Sequence, residues 1–365
     1  MHVSFASLLF VPLALAGLLW PLWPVWRQWQ YPRRETPRTT ETHTEWNEDA
    51  LDALQSTQNA FAELLAVAER DGVVRGAGED GIPFLVLGPK DYLSGQLPSN
   101  VTRLRMLVVA ARHLDVPGEL LCDRLMFARN RLNIAHNAIV KTALAGRDAI
   151  VGPRARVRRW LHAGARVDAA EGAVLAGCCS AGHEITLARR VRFEQLLAPI
   201  IRFGKAETPR TPVVPVQYIL MQPPANAFVP GDGRWIINGD MSVPPGHRVN
   251  AHLIVRGNLL AGTGAFLRGN VRVMGDFVMH HDARCGSAVI CDGDMQTGEC
   301  CQIGGPLIVE GGLQIGAQSE IGSLEHPSSV SARNLRVNEG VVIHGAVQAK
   351  RRGEVVSDSN RGQQT

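Results

Sequence analysis

The chain has 365 residues, 45% of them apolar, with 37 glycines, only 5% aromatics and a formal net charge of +4. That length exceeds one ordinary core, the apolar share calls for a well-buried body, and so small a charge argues against nucleic acid as a partner. A glycine-rich, aromatic-poor composition suits a coil with tight corners and a narrow interior.

At the N-terminus no residue from Val3 to Trp26 is charged, a run long enough to cross a bilayer as a helix. Trp20, Trp23, Trp26, Trp29 and Tyr31 form an interfacial aromatic belt, and Arg27, Arg33, Arg34 and Arg38 follow it. No Lys or Arg precedes the span, so the positive-inside rule puts the body in the cytoplasm. The alternative is a cleaved leader ending at Ala14-Leu15-Ala16 before Gly17. It lacks a basic n-region, and the apolar run continues past that site. Pro12, Pro21 and Pro24 interrupt a straight helix. Residues 1–31 are thus expected to anchor the chain, and 32–46, rich in Pro, Arg, Thr and Glu, to link it flexibly to the body.

The segment 47–106 opens with a helix over 47–70, where Leu51, Leu54, Phe61 and Leu65 share a stripe and Gly72 suits the end. The stripe is expected to pack on the rest of the body. A short strand is predicted over Pro83–Leu87.

From about Leu107 the chain keeps a period of six. In the first array, 107–197, the blocks from Ile139 and Ala145 and the run from Val151 (VGPRAR, VRRWLH, AGARVD, AAEGAV, LAGCCS, AGHEIT, LARRVR) hold small or branched apolar residues in places one and five. Rows starting at Leu107, Leu125, Ala143, Leu161 and Cys179 extend the pattern upstream. Residues 198–234 hold prolines and no hexads, and read as a connection or lateral insertion. In the second array, 235–349, every sixth residue from Ile237 to Ile321 is apolar except Thr297, and every sixth from Met241 is apolar except His247 and Ser319. The phase breaks again at His326–Ser329, and a last partial coil follows. Residues 350–365 are polar and are expected to be a disordered tail.

A longer period of 18 lies on the hexads. Gly239, Gly257, Gly275, Gly293 and Gly311 recur at that spacing, followed by Asp240, Asn258, Asp276, Asp294 and Gly312. Three hexads therefore make one coil, with a corner marked Gly-Asp or Gly-Asn, residues that tolerate a left-handed backbone. The fold class is all-β: a single-stranded β-helix, or β-solenoid, of 18-residue coils, preceded by a transmembrane helix and a short α-helical segment.

The histidines His162, His183, His252, His280 and His281 raise an enzyme reading, because hexapeptide acyltransferases use a coil histidine as general base. No carboxylate stands at a matching place, so all five read as surface or corner residues. Cys285, Cys291 and Cys301 occupy apolar core places, so they and the neighbouring His280 and His281 read as core and surface groups and not as a metal site. The seven cysteines read as reduced interior thiols. The column Asp240, Asn258, Asp276, Asp294 lacks the denser pattern of calcium β-rolls and reads as hydrogen-bonded corners. No catalytic, cofactor-binding or metal-ligating residue is assigned, and no cofactor.

The rows Ile237-Asn-Gly-Asp240, Val255-Arg-Gly-Asn258 and Val273-Met-Gly-Asp276 resemble the bactofilins, the polymer-forming cytoskeletal proteins of bacteria. The resemblance is firmest over 237–325, is weaker over 107–197, and does not reach 1–100. It implies a non-enzymatic scaffold that assembles end to end without nucleotide, tethered here to the inner membrane by one span with its C-terminal body cytoplasmic, and gathering protein cargo. The first array, read as [LIV]-[GA]-x-x-[AV]-x, equally resembles hexapeptide acyltransferases acting on a sugar or nucleotide-sugar, which is the alternative. A terminal coil leaves a strand edge open to pairing. The helix 47–70 is expected to cap the N-terminal end, so the contact surface for a second copy is expected at the last coil, on Leu335, Val337, Val341, Ile343 and Val347.

Overall fold

The computed structural model describes Asn59 and residues 62–78, 81–98, 100–204 and 217–357. The anchor, the linker and the first part of the 47–70 helix lie outside them, as does the end of the tail. Among the described residues no helix is long and apolar enough to cross a membrane. The body is all-β, a β-solenoid of about 13 turns with coils of about 18 residues.

Each coil of the first array lays one strand on each of three faces, and strands on a face pair in parallel with the next coil. On one face the register runs Val108, Met126, Ala143, Leu161, Cys179 and Leu196. The second array repeats the plan: Trp235, Leu253, Val271, Val289, Leu307 and Val330 stack on one face. Such columns bury like on like. All the first places from Ile237 to Ile321 are buried, and among the fifth places only His247 is not. Burial of one Val, Leu or Ile side chain contributes about 1.5–3 kcal/mol, and the column repeats it at every coil. The polar breaks are satisfied locally. Thr297 Oγ1 accepts from the Gly316 N–H at 2.9 Å, and Ser319 Oγ accepts from the Cys301 N–H at 3.2 Å.

The early phase differs from the expected one by a residue. Val140, not Ile139, stacks on Val157, because the strand Ile139–Ala145 has only Lys141 where its neighbour has Arg158 and Arg159. Leu107 and Leu125 consequently lie beside the buried column, which Val108 and Met126 occupy.

At the start of the first array the antiparallel strand Val74–Ala77 pairs with Pro83–Leu87 and covers that one face. The helix Ala62–Asp71, which carries Leu65 of the expected stripe, packs along the side of the coil and not over its end. Leu65 and Ala68 cover the outward residues Val86, Val109, Phe127 and Leu144.

Two boundaries shift. Residues 198–203 belong to the strand Arg192–Phe203, and 350–356 belong to the strand Val341–Val356, where polar tail had been expected. These two strands pair antiparallel with each other, with Phe203 opposite Val341, Ile201 opposite Ile343, Leu196 opposite Val347 and Phe193 opposite Gly353. The arrays therefore do not follow one another along the chain direction. They meet at their C-terminal coils, and one apolar core runs through both.

Candidate functional site

The 18-residue corner column is a hydrogen-bond ladder. Asp240 Oδ1 accepts from the Asn258 N–H at 2.7 Å, Asn258 Oδ1 from Asp276 at 2.8 Å, Asp276 Oδ1 from Asp294 at 2.8 Å, and Asp294 Oδ1 from Gly312 at 2.7 Å. The glycines are needed for a reason other than the one expected. Only Gly239 has positive φ, at 109°. At Gly257, Gly275, Gly293 and Gly311 a Cβ would strike the carboxylate or amide oxygen one coil below. The left-handed corner of the second array is a different column, Gly246, Gly264, Asp282, Cys300 and Gln318, matched in the first array by Glu119, Asn137, Arg154, Gly172 and Arg190. Its N–H groups bond to the next coil, as Asn137 to Pro153 O at 3.1 Å and Cys300 to Ala317 O at 2.9 Å. That bond offsets the cost of left-handed backbone at residues with a side chain.

Of the histidines, His183, His252, His280 and His281 are exposed, as expected. His252 and His281 sit 18-residue steps from their partners and accept backbone N–H bonds from Asn270 at 3.0 Å and Glu299 at 3.3 Å through Nδ1. His162 is not a surface residue. It is fully buried, following Leu144 in the outward row that the helix covers at its start, with Nδ1 2.8 Å from Ser180 Oγ. Burial lowers its pKa to about 4. A base sealed from solvent in this way has no substrate to reach.

The seven cysteines are free, and all but Cys178 are buried. Burial raises Cys122 and Cys301 to about 12 and Cys178 and Cys291 to about 11. Protonated thiols of this kind are poor nucleophiles and poor metal ligands. No cluster of three or more candidate ligands occurs among the described residues.

The expected assembly residues Leu335, Val337, Val341, Ile343 and Val347 are all in the core. The edge beyond them is not free, because the first array's last coil pairs with it on all three faces. Arg189 and Glu339 close that seam with an ion pair of 2.6 Å, and Phe193 and Phe203 lie with ring centroids 5.7 Å apart beside it.

A different end is open. In the first coil of the second array Arg234–Ile237 is partnered by the antiparallel pair Ala227–Phe228, and His247–Val249 by Ile219–Leu220. Met241–Val243 pairs on one side only, with Leu259–Ala261. Ile219, Leu220, Phe228 and Val229 stand exposed around this end. Tyr218 holds its strand in place against Phe266, whose other neighbour is the Arg248 guanidinium at 5.2 Å. Sequence reading passed over these residues because they lie outside the hexads. The signal was the apolar run Tyr218–Met221 and the pair Phe228-Val229 inside a proline-rich stretch.

Comparison with family models, with characterised proteins and with solved structures gives no match.

Proposed function

We propose that this chain is a non-enzymatic scaffold of bactofilin type, tethered to a bacterial inner membrane by residues 1–31, that assembles through solenoid ends and gathers protein cargo. The observation that carries the reading is the seam. Two terminal coils of this repeat pair edge to edge over their full cross-section, as an assembling solenoid requires of its ends. Inside the chain that contact consumes the C-terminal ends of both arrays, so contact between copies falls to the outer end of the second array. There the half-paired strand Met241–Val243 and the exposed Ile219, Leu220, Phe228 and Val229 combine an unsatisfied edge with apolar surface, the two features that favour strand addition. At the start of the first array the antiparallel strand covers one face only, and Arg103–Leu104 and His113–Val116 are half-paired there too, but without the exposed apolar cluster of the other end.

The test is sedimentation and electron microscopy of the full chain in detergent. Leu220→Arg with Phe228→Arg is expected to reduce the assembled species to single chains while the thermal transition stays in place. Unchanged assembly would remove this end from the reading, and single chains at every concentration of the parent would remove self-assembly.

A further inference from the structure

One corner of the first array carries charge that its neighbours do not balance. Arg105, Arg124, Lys141, Arg158 and Arg159 fall between two faces on four successive coils. The pairing places them together, since Leu104 stacks on Cys122, Cys122 on Val140 and Val140 on Val157, and each basic residue lies one or two positions after one of these. At about 4.8 Å per coil the five line a straight strip about 15 Å long. They border a shallow groove of about 440 Å³ whose one acidic member, Asp123, is already bound by Arg103 at 2.5 Å. None of the five has an ion-pair partner among the described residues. Some arginines elsewhere on the same array do find carboxylates: Arg129 with Glu69, Arg131 with Asp148, Arg202 with Glu184. The next coil ends the strip with Ala176 and Gly177.

Five like charges along one line repel each other, and an external anion relieves that repulsion. We infer that this corner is a docking surface for an anionic bilayer and lies along the phosphates of acidic lipids. A straight rod edge meets a plane along its length. No fully exposed aromatic ring interleaves the row (Trp160 is half-buried) to stack bases as a single-stranded nucleic-acid groove does. The inference rests on the membrane tether proposed above, which would bring the corner within reach of lipid.

The chain supplies its own reporter, because Lys141 is one of only four lysines, with Lys90, Lys205 and Lys350. The full chain is reconstituted in vesicles of phosphatidylcholine alone or of an equal mixture with phosphatidylglycerol, and amine modification is followed by mass spectrometry. Lys141 should be modified about tenfold more slowly in the acidic vesicles, Lys350 should not change, and high salt should abolish the difference. Arg105→Gln, Arg124→Gln, Arg158→Gln and Arg159→Gln together should also abolish it without altering the thermal transition. Retention of the chain on vesicles through an alkaline carbonate wash reads the anchor separately. Retention with equal Lys141 reactivity in both vesicles overturns the inference and leaves the tether standing. Loss in the wash, with salt-sensitive flotation on acidic vesicles and Lys141 protected, overturns the tether and supports the strip. Protection by inorganic polyphosphate or an oligonucleotide, with none from phosphatidylglycerol, overturns the inference in favour of a soluble polyanion.

Discussion

The Gly340 N–H, at the last corner of the second array, donates to the carbonyl of Phe203, at the end of the first, at 2.7 Å. Arg190, at the last corner of the first array, returns the bond to Val355 O at 3.0 Å. Within each array this same corner bond reaches the next coil. Each array therefore treats the other as its missing next coil: the seam keeps the solenoid's corner bond, while its strands run antiparallel.

The seam should consequently be as strong as the interior. Ile343 is fully buried opposite Ile201. Ile343→Ala is expected to lower stability by about 2–5 kcal/mol, the cost of a core cavity, as read by denaturant unfolding. Val337→Arg with Ile343→Arg should yield misfolded chain and not a soluble single species. A folded double variant would show that the last coil is not buried in this way.

The corner ladder makes a different test. Asp276→Ala removes the acceptor for the Asp294 N–H and should cost about 1 kcal/mol, while Asp276→Asn retains an acceptor oxygen and should cost little. Gly293→Ala should cost more than either, because its Cβ meets both the Asp276 side chain and the Gly275 carbonyl. Combining Asp276→Ala with Gly293→Ala relieves only the first clash. Thermal midpoints of the four variants should keep that order.

His162 sets a pH dependence. Its folded pKa of about 4 lies below the ordinary 6.5, so the unfolded chain binds the extra proton first. The contribution of the neutral ring is complete above pH 6.5 and is lost as pH falls from there towards 4, by about 3 kcal/mol in all. His162→Leu, which matches Leu144 in the neighbouring coil, should flatten this part of the stability curve. A variant as acid-sensitive as the parent between those values would assign the effect to other groups.

The thiols should be slow. With burial raising Cys122 and Cys301 to about 12, none of the buried cysteines should react with a disulfide reagent at neutral pH in the folded chain. Half-buried Cys178 should lead, and all seven should become reactive together on unfolding. Fast labelling of Cys285 or Cys291 under native conditions would show that the second array opens locally.

The period of six by itself determined the solenoid, its 18-residue coil and the inward phase of the second array from Ile237 to Ile321, because each of these depends on residues adjacent along one strand or one coil away. The same locality placed Cys285, Cys291 and Cys301 in the core. It misplaced Ile139, where one residue too few at Lys141 shifts the phase without disturbing the apolar composition. It misread Gly257 and its column, because a left-handed corner and a close approach from the coil below both select glycine. It also left His162 on the surface, whereas the structure buries it beside Ser180 in the outward row that Leu144 begins to fill. Above all, only the tertiary structure decided what becomes of Leu335, Val337, Val341, Ile343 and Val347. Their alternation fits a strand edge open to a second copy as well as one paired with Arg192–Phe203. The choice between them rests on a contact between residues more than a hundred positions apart, which no repeat in the sequence encodes.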